Sequence, residues 1–170
     1  MEEINDPRQL ANLLNQAQAK LVTIDGFDGS GKSPLSYHLY RELGGNILEV
    51  DCYALRGSGK YELDETAQHR MKWRLDLRRT QDLTFVEGVL MNEVIEKVGI
   101  EPDKKIYVMP PPSGDMPPPE DTTWGDKYDV MGYESLDEAL KGNDESGGSE
   151  LTKQIVEYTF TQKPHESADY

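Results

Sequence analysis

The run Gly26-Phe27-Asp28-Gly29-Ser30-Gly31-Lys32-Ser33 has the residue types and spacing to hold a phosphate group. In a Gly-x4-Gly-Lys-Ser pattern the glycines let the backbone turn so tightly that successive N–H groups point inward at an anion. Lys32 is placed to reach the β- and γ-phosphates of a nucleoside triphosphate, and the Ser33 hydroxyl to ligate a Mg²⁺ that bridges them. Asp28, Gly29 and Ser30 complete the expected binding set with Gly26, Gly31, Lys32 and Ser33. Pro34 follows the Lys-Ser pair, and proline is tolerated in a first helical turn because its missing N–H would have no intrahelical partner there.

Two acidic residues stand further along the chain, Asp51 after Leu48-Glu49-Val50 and Glu87 after Phe85-Val86. Phosphoryl transfer to a hydroxyl needs a base that orients the acceptor and an acid that holds Mg²⁺ or its waters. Asp51, acting with Lys32, suits the catalytic role, and Glu87, with Ser33, suits the metal. The plain alternative is a pair of solvated strand-end carboxylates.

These residues need a scaffold, and the hydrophobic pattern supplies one. Asp6-Pro7 opens a helix over 6–19, with Leu10, Leu13, Leu14 and Ala17 at helical spacing. Leu21-Val22-Thr23-Ile24 predicts a strand ending at the glycine-rich loop, and Leu35, Tyr37, Leu39, Tyr40 and Leu43 predict a helix closed by Gly44-Gly45. Strands are expected again at 46–50, 83–86 and 105–109, and helices at 64–79, 89–98 and 151–161. Strands alternating with helices imply a parallel sheet between helices, a three-layer α/β/α sandwich of the α/β class. Open sheets of this kind bind their ligands at the carboxyl ends of the strands, where the loop, Asp51 and Glu87 all fall.

The alternation stops at Pro110. Six prolines bracket Ser113-Gly114-Asp115-Met116, and Gly142 to Glu150 is a second polar run, with only Leu136 to Lys141 helical between them. The stretch at about 110–150 reads as an irregular, proline-rich lid or surface insertion on one domain that covers residues 1–170.

The formal charge is −14, shared unevenly: residues 1–85 contribute −2 and residues 86–170 contribute −12. So acidic a surface argues against nucleic acid or an anionic membrane as partner. All seven arginines precede residue 80, so the first half is expected to grip any anionic substrate. One cysteine, Cys52, precludes an internal disulfide, and no apolar run approaches the roughly 20 residues that span a bilayer. A cytoplasmic protein is expected. His38, His69 and His165 lie far apart and form no metal-ligand spacing. Trp73 and Trp124 could stack on a ring or simply pack. No Asn-Lys-x-Asp guanine-reading motif is present, and Asp129-Val130-Met131-Gly132 lies in the irregular region, which disfavours a GTP switch.

Four segments together resemble the uridine kinase-like branch of the P-loop kinases, the nucleoside and nucleotide kinases. Thr23 to Ser33 is similar to that branch's opening strand and loop, with an Asp-Gly-Ser-Gly-Lys core that also looks like thymidylate kinases. Val50-Asp51-Cys52-Tyr53 resembles the second-strand motif, which implies a base role for Asp51 and substrate packing for Tyr53. Lys72-Trp73-Arg74-Leu75 resembles a Trp-Arg-Leu element, Val86-Glu87-Gly88 the third-strand Val-Glu-Gly, and Tyr158 with Pro164, Ala168 and Asp169 the run into the final strand. The resemblance implies a P-loop NTPase type of fold and phosphorylation of a hydroxyl on a nucleoside-like or other small molecule, with ATP and Mg²⁺ as cofactors. Tyr53 and Arg74 are then candidate substrate contacts. Such kinases carry arginines in the lid after the fourth strand, whereas residues 110–150 contain none and have only Lys127 and Lys141 as basic residues. Arg70, Arg74, Arg78 or Arg79, or an arginine from a second subunit in a homo-oligomer, would have to substitute. The final Ala168-Asp169-Tyr170 falls where a fifth strand would begin, leaving the sheet one strand short or completed by a neighbour. The rival reading is a non-catalytic nucleotide-binding or regulatory protein.

Overall fold

Strand β1 (Leu21–Gly26) is buried along its whole length, and so is β3 (Thr84–Glu87). Both are short, mainly apolar runs, the composition of parallel strands covered on two faces. The partly buried β2 (Asn46–Glu49) and β4 (Lys104–Val108) flank them, and the sheet runs β2-β3-β1-β4 with every neighbouring pair parallel. Ile24 lies beside Glu87 on one side and Ile106 on the other, and Glu49 lies beside Glu87. The carboxyl ends of the strands therefore share one edge. The computed structural model describes residues 2–55, 59–79, 82–109, 133–145 and 147–170.

The strand order dictates where the helices go. The step from β1 to β2 runs one way along the sheet, and the steps from β2 through β3 to β4 run the other way. Right-handed crossovers then put the connecting helices on opposite faces. α2 (Lys32–Leu43) joins α1 (Pro7–Gln16) on one face, and α3 (Glu65–Arg79) and α4 (Met91–Val98) cover the other. Alternate strand residues feed the two cores, as period-two geometry requires. Val22, Ile24 and Phe85 pack with Leu10, Leu14 and Leu39, whereas Leu21 and Val86 pack with Met71, Leu75 and Val94. A contacting helical pair, α5 (Leu136–Glu145) and α6 (Glu150–Gln162), adds Ala139, Ile155, Val156 and Tyr158 to the second core, and the short α7 (Pro164–Ser167) follows. The expected α/β class and parallel sheet flanked by helices are thus observed.

Element limits differ from the sequence pattern in three instructive places. α1 stops at Gln16 because Gln18 turns into the left-handed region, with φ 52°. β2 ends at Glu49, and Val50–Cys52 forms a single 3₁₀ turn, so Asp51 sits in that turn and not on a strand. Val89 and Leu90 are not helical; Leu90, buried and at φ 58°, turns the chain into α4. Beyond α7, Asp169 N–H donates to Lys105 O at 2.9 Å and Tyr107 N–H donates to Tyr170 O at 2.9 Å, so the last residues extend the pairing along the outer side of β4. Arg56, the prolines at 110–119, Trp124, Lys127 and Asp129 to Gly132 lie outside the described residues. Among those described, no helix is long and apolar enough to cross a membrane.

Phe85 is fully buried at the centre of the sheet. Truncating it removes transfer energy and leaves a cavity, so Phe85→Ala is expected to cost about 3–5 kcal/mol. Urea denaturation measures this, and a cost below ~1 kcal/mol would contradict the packing described.

Candidate functional site

Gly26 ends β1 at φ 148°, and a Cβ there would lie 2.5 Å from the Val108 carbonyl oxygen. Only glycine lets the chain leave the sheet so close to β4. The loop then turns through a Ser30 N–H to Phe27 O bond of 3.1 Å, and Gly31, at φ 99°, caps α2 without a side-chain hydrogen bond. The N–H groups of Gly29, Gly31, Lys32 and Ser33 have no acceptor among the described residues. Free donors at the positive end of a three-turn helix have the chemistry to hold an anion.

Lys32 is largely buried, and its ammonium donates to Gly26 O at 3.1 Å and Phe27 O at 2.6 Å. Two of its three N–H donors are thereby used, which holds the charged head beside the loop. Burial lowers its pKa, opposed by Asp25 first and then by Asp28, Asp51 and Glu87.

A cavity of about 370 Å³ opens in front of the loop and brings Asp28, Gly29, Gly31, Lys32 and Ser33 together with Asp51 and Glu87. Gly26 and Ser30 support the loop from beneath: Ser30 is buried, with its hydroxyl against Gly26. The structure thus gathers the loop residues and both carboxylates predicted from sequence. Tyr53 and Arg74 depart from the expectation. Arg74 Nη1 donates to the Tyr53 hydroxyl at 2.9 Å with the guanidinium 5.8 Å from the ring centroid, and neither residue lines the cavity. Arg78 reaches the Ile47 carbonyl at 3.5 Å, and no described arginine lines the cavity. Cys52 is an exposed free thiol, and Trp73, 65% exposed, packs in neither core.

Glu87 is buried at the end of β3, and its Oε2 has no hydrogen-bond partner among the described residues. Burial raises its pKa, while the neighbouring Ser33 hydroxyl opposes the rise. A buried carboxylate oxygen without a donor, beside a hydroxyl and an anion site, fits a hard cation such as Mg²⁺ or one of its waters. No group of three or more His, Cys, Asp or Glu is arranged to cage a metal among the described residues. That too suits Mg²⁺, which keeps several waters and takes one or two protein ligands beside phosphate oxygens.

No protein-family model, curated protein or solved structure matches this chain. The functional reading rests on the geometry of the site.

Sequence reasoning passed over Asp25, the residue on which the loop is anchored. It is 7% exposed; its Oδ1 accepts from Gly26 N–H at 2.8 Å, and its Oδ2 from Met91 N–H at 3.3 Å and from the Tyr158 hydroxyl in a short bond. A charged residue closing an apolar strand that is buried on both faces was the available signal. Desolvation raises its pKa from 3.8 to about 6 against the pull of Tyr158, the two backbone donors and Lys32.

Between those two values the folded state holds the Asp25 proton more tightly than the unfolded state. This contribution to stability is therefore complete below pH 3.8 and is lost as pH rises through about 6. The stability of the wild type relative to Asp25→Asn is expected to fall by about 3 kcal/mol between pH 3 and pH 7. Urea unfolding of both proteins across that range checks this; a constant difference would rule out the raised pKa.

Proposed function

We propose that this protein is an ATP- and Mg²⁺-dependent phosphotransferase that acts on a hydroxyl of a nucleoside-like or other small molecule. The observation that carries the reading is one cavity in which a glycine-rich anion site with Lys32 and Ser33 faces two carboxylates, Asp51 and Glu87. The strand-loop-helix order of β1, the glycine-rich loop and α2 supports a P-loop type of fold.

When bound, Mg·ATP supplies an activated phosphoryl group and partial neutralisation of its charge. The N–H groups of Gly29, Gly31, Lys32 and Ser33 bind phosphate oxygens, and the remaining Lys32 N–H donor adds a positive charge to the same cradle. Ser33 and Glu87 would hold the Mg²⁺. Asp51 Oδ1 already accepts a hydrogen bond from Tyr61, so Oδ2 orients the acceptor hydroxyl and takes its proton.

A non-catalytic nucleotide binder is the second reading, favoured by the engagement of Arg74 with Tyr53 and by the lack of a described arginine at the cavity. One pair of measurements separates the two: thermal shift with ATP, with and without Mg²⁺, and ADP formation across a panel of nucleosides, sugars and small acids. ATP is expected to raise Tm more with Mg²⁺ than without it, and Lys32→Ala to abolish the shift. Asp51→Asn should keep the shift and lower acceptor-dependent turnover by about 10²-fold or more. Full turnover in Asp51→Asn removes the base assignment, and binding without turnover favours the second reading. No nucleotide binding at all sinks both.

A further inference from the structure

Tyr61 carries no sequence signature, yet its backbone and its hydroxyl are all hydrogen-bonded. Its ring is 9% exposed in the core beneath the β3–α4 connection, where a Cβ on Gly88 would come within 2.9 Å of the phenol oxygen. Gln154 of α6 clamps its backbone from both sides: Tyr61 N–H donates to Gln154 Oε1 at 2.8 Å, and Gln154 Nε2 donates to Tyr61 O at 3.1 Å. The phenol is spent on one partner, donating to Asp51 Oδ1 at 2.6 Å, while the Val89 N–H approaches its oxygen.

Asp51 has the opposite character. It is exposed, and it sits in a three-residue turn between β2 and the loop that leads to α3. A short carboxylate in such a turn samples several rotamers unless something holds it. Phenylalanine would fill the Tyr61 ring site equally well, so packing does not account for the hydroxyl. We propose that Tyr61 is the positioning residue for Asp51, fixing Oδ1 so that Oδ2 is the oxygen presented to an acceptor hydroxyl. The inference rests on the phosphotransferase reading, in which Asp51 is the base. Burial, and then the hydrogen bond to Asp51, hold the phenol well above its ordinary pKa, so Tyr61 remains a neutral donor and does not compete for the proton. The step balances: the acceptor oxygen forms the new O–P bond, its proton passes to Asp51 Oδ2, and ADP leaves with the electrons of the broken bond. Tyr61 acts through Asp51 and does not touch the reacting atoms.

The test uses the full chain, ATP with Mg²⁺, and the same panel of nucleosides, sugars and small acids. Tyr61→Phe keeps the ring, so the ATP-induced thermal shift and the KM for ATP should be unchanged while kcat falls about 10- to 100-fold. In an Asp51→Asn background the same change should cost nothing further, an outcome that a purely structural role would not produce. If Tyr61→Phe fails to fold, Gln154→Ala is read instead: it frees the Tyr61 backbone but keeps the hydroxyl, and must lower kcat without raising the KM for ATP. Wild-type turnover that Tyr61→Phe leaves within twofold, or effects of Tyr61→Phe and Asp51→Asn that multiply, overturns the proposal and leaves the phosphotransferase reading standing. Absence of wild-type turnover with every acceptor overturns both.

Discussion

A carboxylate buried where the central strand meets the glycine-rich loop holds three separate parts of the chain at one point. Asp25 takes a proton donor from the loop at Gly26, another from the first turn of α4 at Met91, and a third from α6 at Tyr158. Any one of these donors left without its acceptor in so buried a place would cost about 1–3 kcal/mol. A shift of the loop would therefore loosen its ties to both helices, and the geometry of the loop is built into the fold. The Tyr158 hydroxyl also accepts from the Asn92 N–H at 3.1 Å, which ties α6 to α4 a second time.

Opposite charges offset part, though not all, of the desolvation that this arrangement costs. Burial lowers the pKa of Lys32, and Asp25, Asp28, Asp51 and Glu87 oppose that fall. Asp25 in turn gains from Lys32. The cavity is lined both by the loop with its Lys32 and by the carboxylates of Asp51 and Glu87. A chain of net charge −14 thus concentrates a group of N–H donors and one cation at a single place.

Much of this was legible in the sequence because it depends on local rules. The apolar runs at Leu21 and Thr84 mark buried parallel strands, and the glycine spacing marks the loop, since both reflect constraints acting over a few residues. Asp51 and Glu87 could be placed near the loop because strand ends of a parallel sheet share an edge. What could not be read were the partners reached through tertiary contacts. Asp25 finds Tyr158 133 positions away, and Tyr61 finds Gln154 93 positions away, with no spacing rule to link them. The hydrogen bond between Arg74 and Tyr53 was hidden for the same reason. Turn geometry was the other loss: the 3₁₀ turn at Val50–Cys52 and the left-handed Leu90 depend on side chains buried by distant elements.

The two residues with which α6 grips the site, Gln154 and Tyr158, are four positions apart, so they project from the same side of the helix about 6 Å from each other along its axis. One grips the segment behind Asp51 and the other the carboxylate behind the loop. A helix is stiff over a single turn, so the spacing between the two grips is fixed as if by a ruler. The glycine-rich loop and the turn that carries Asp51 are therefore tied to one helical turn of α6, and the spacing between the two grips is set by the pitch of a helix.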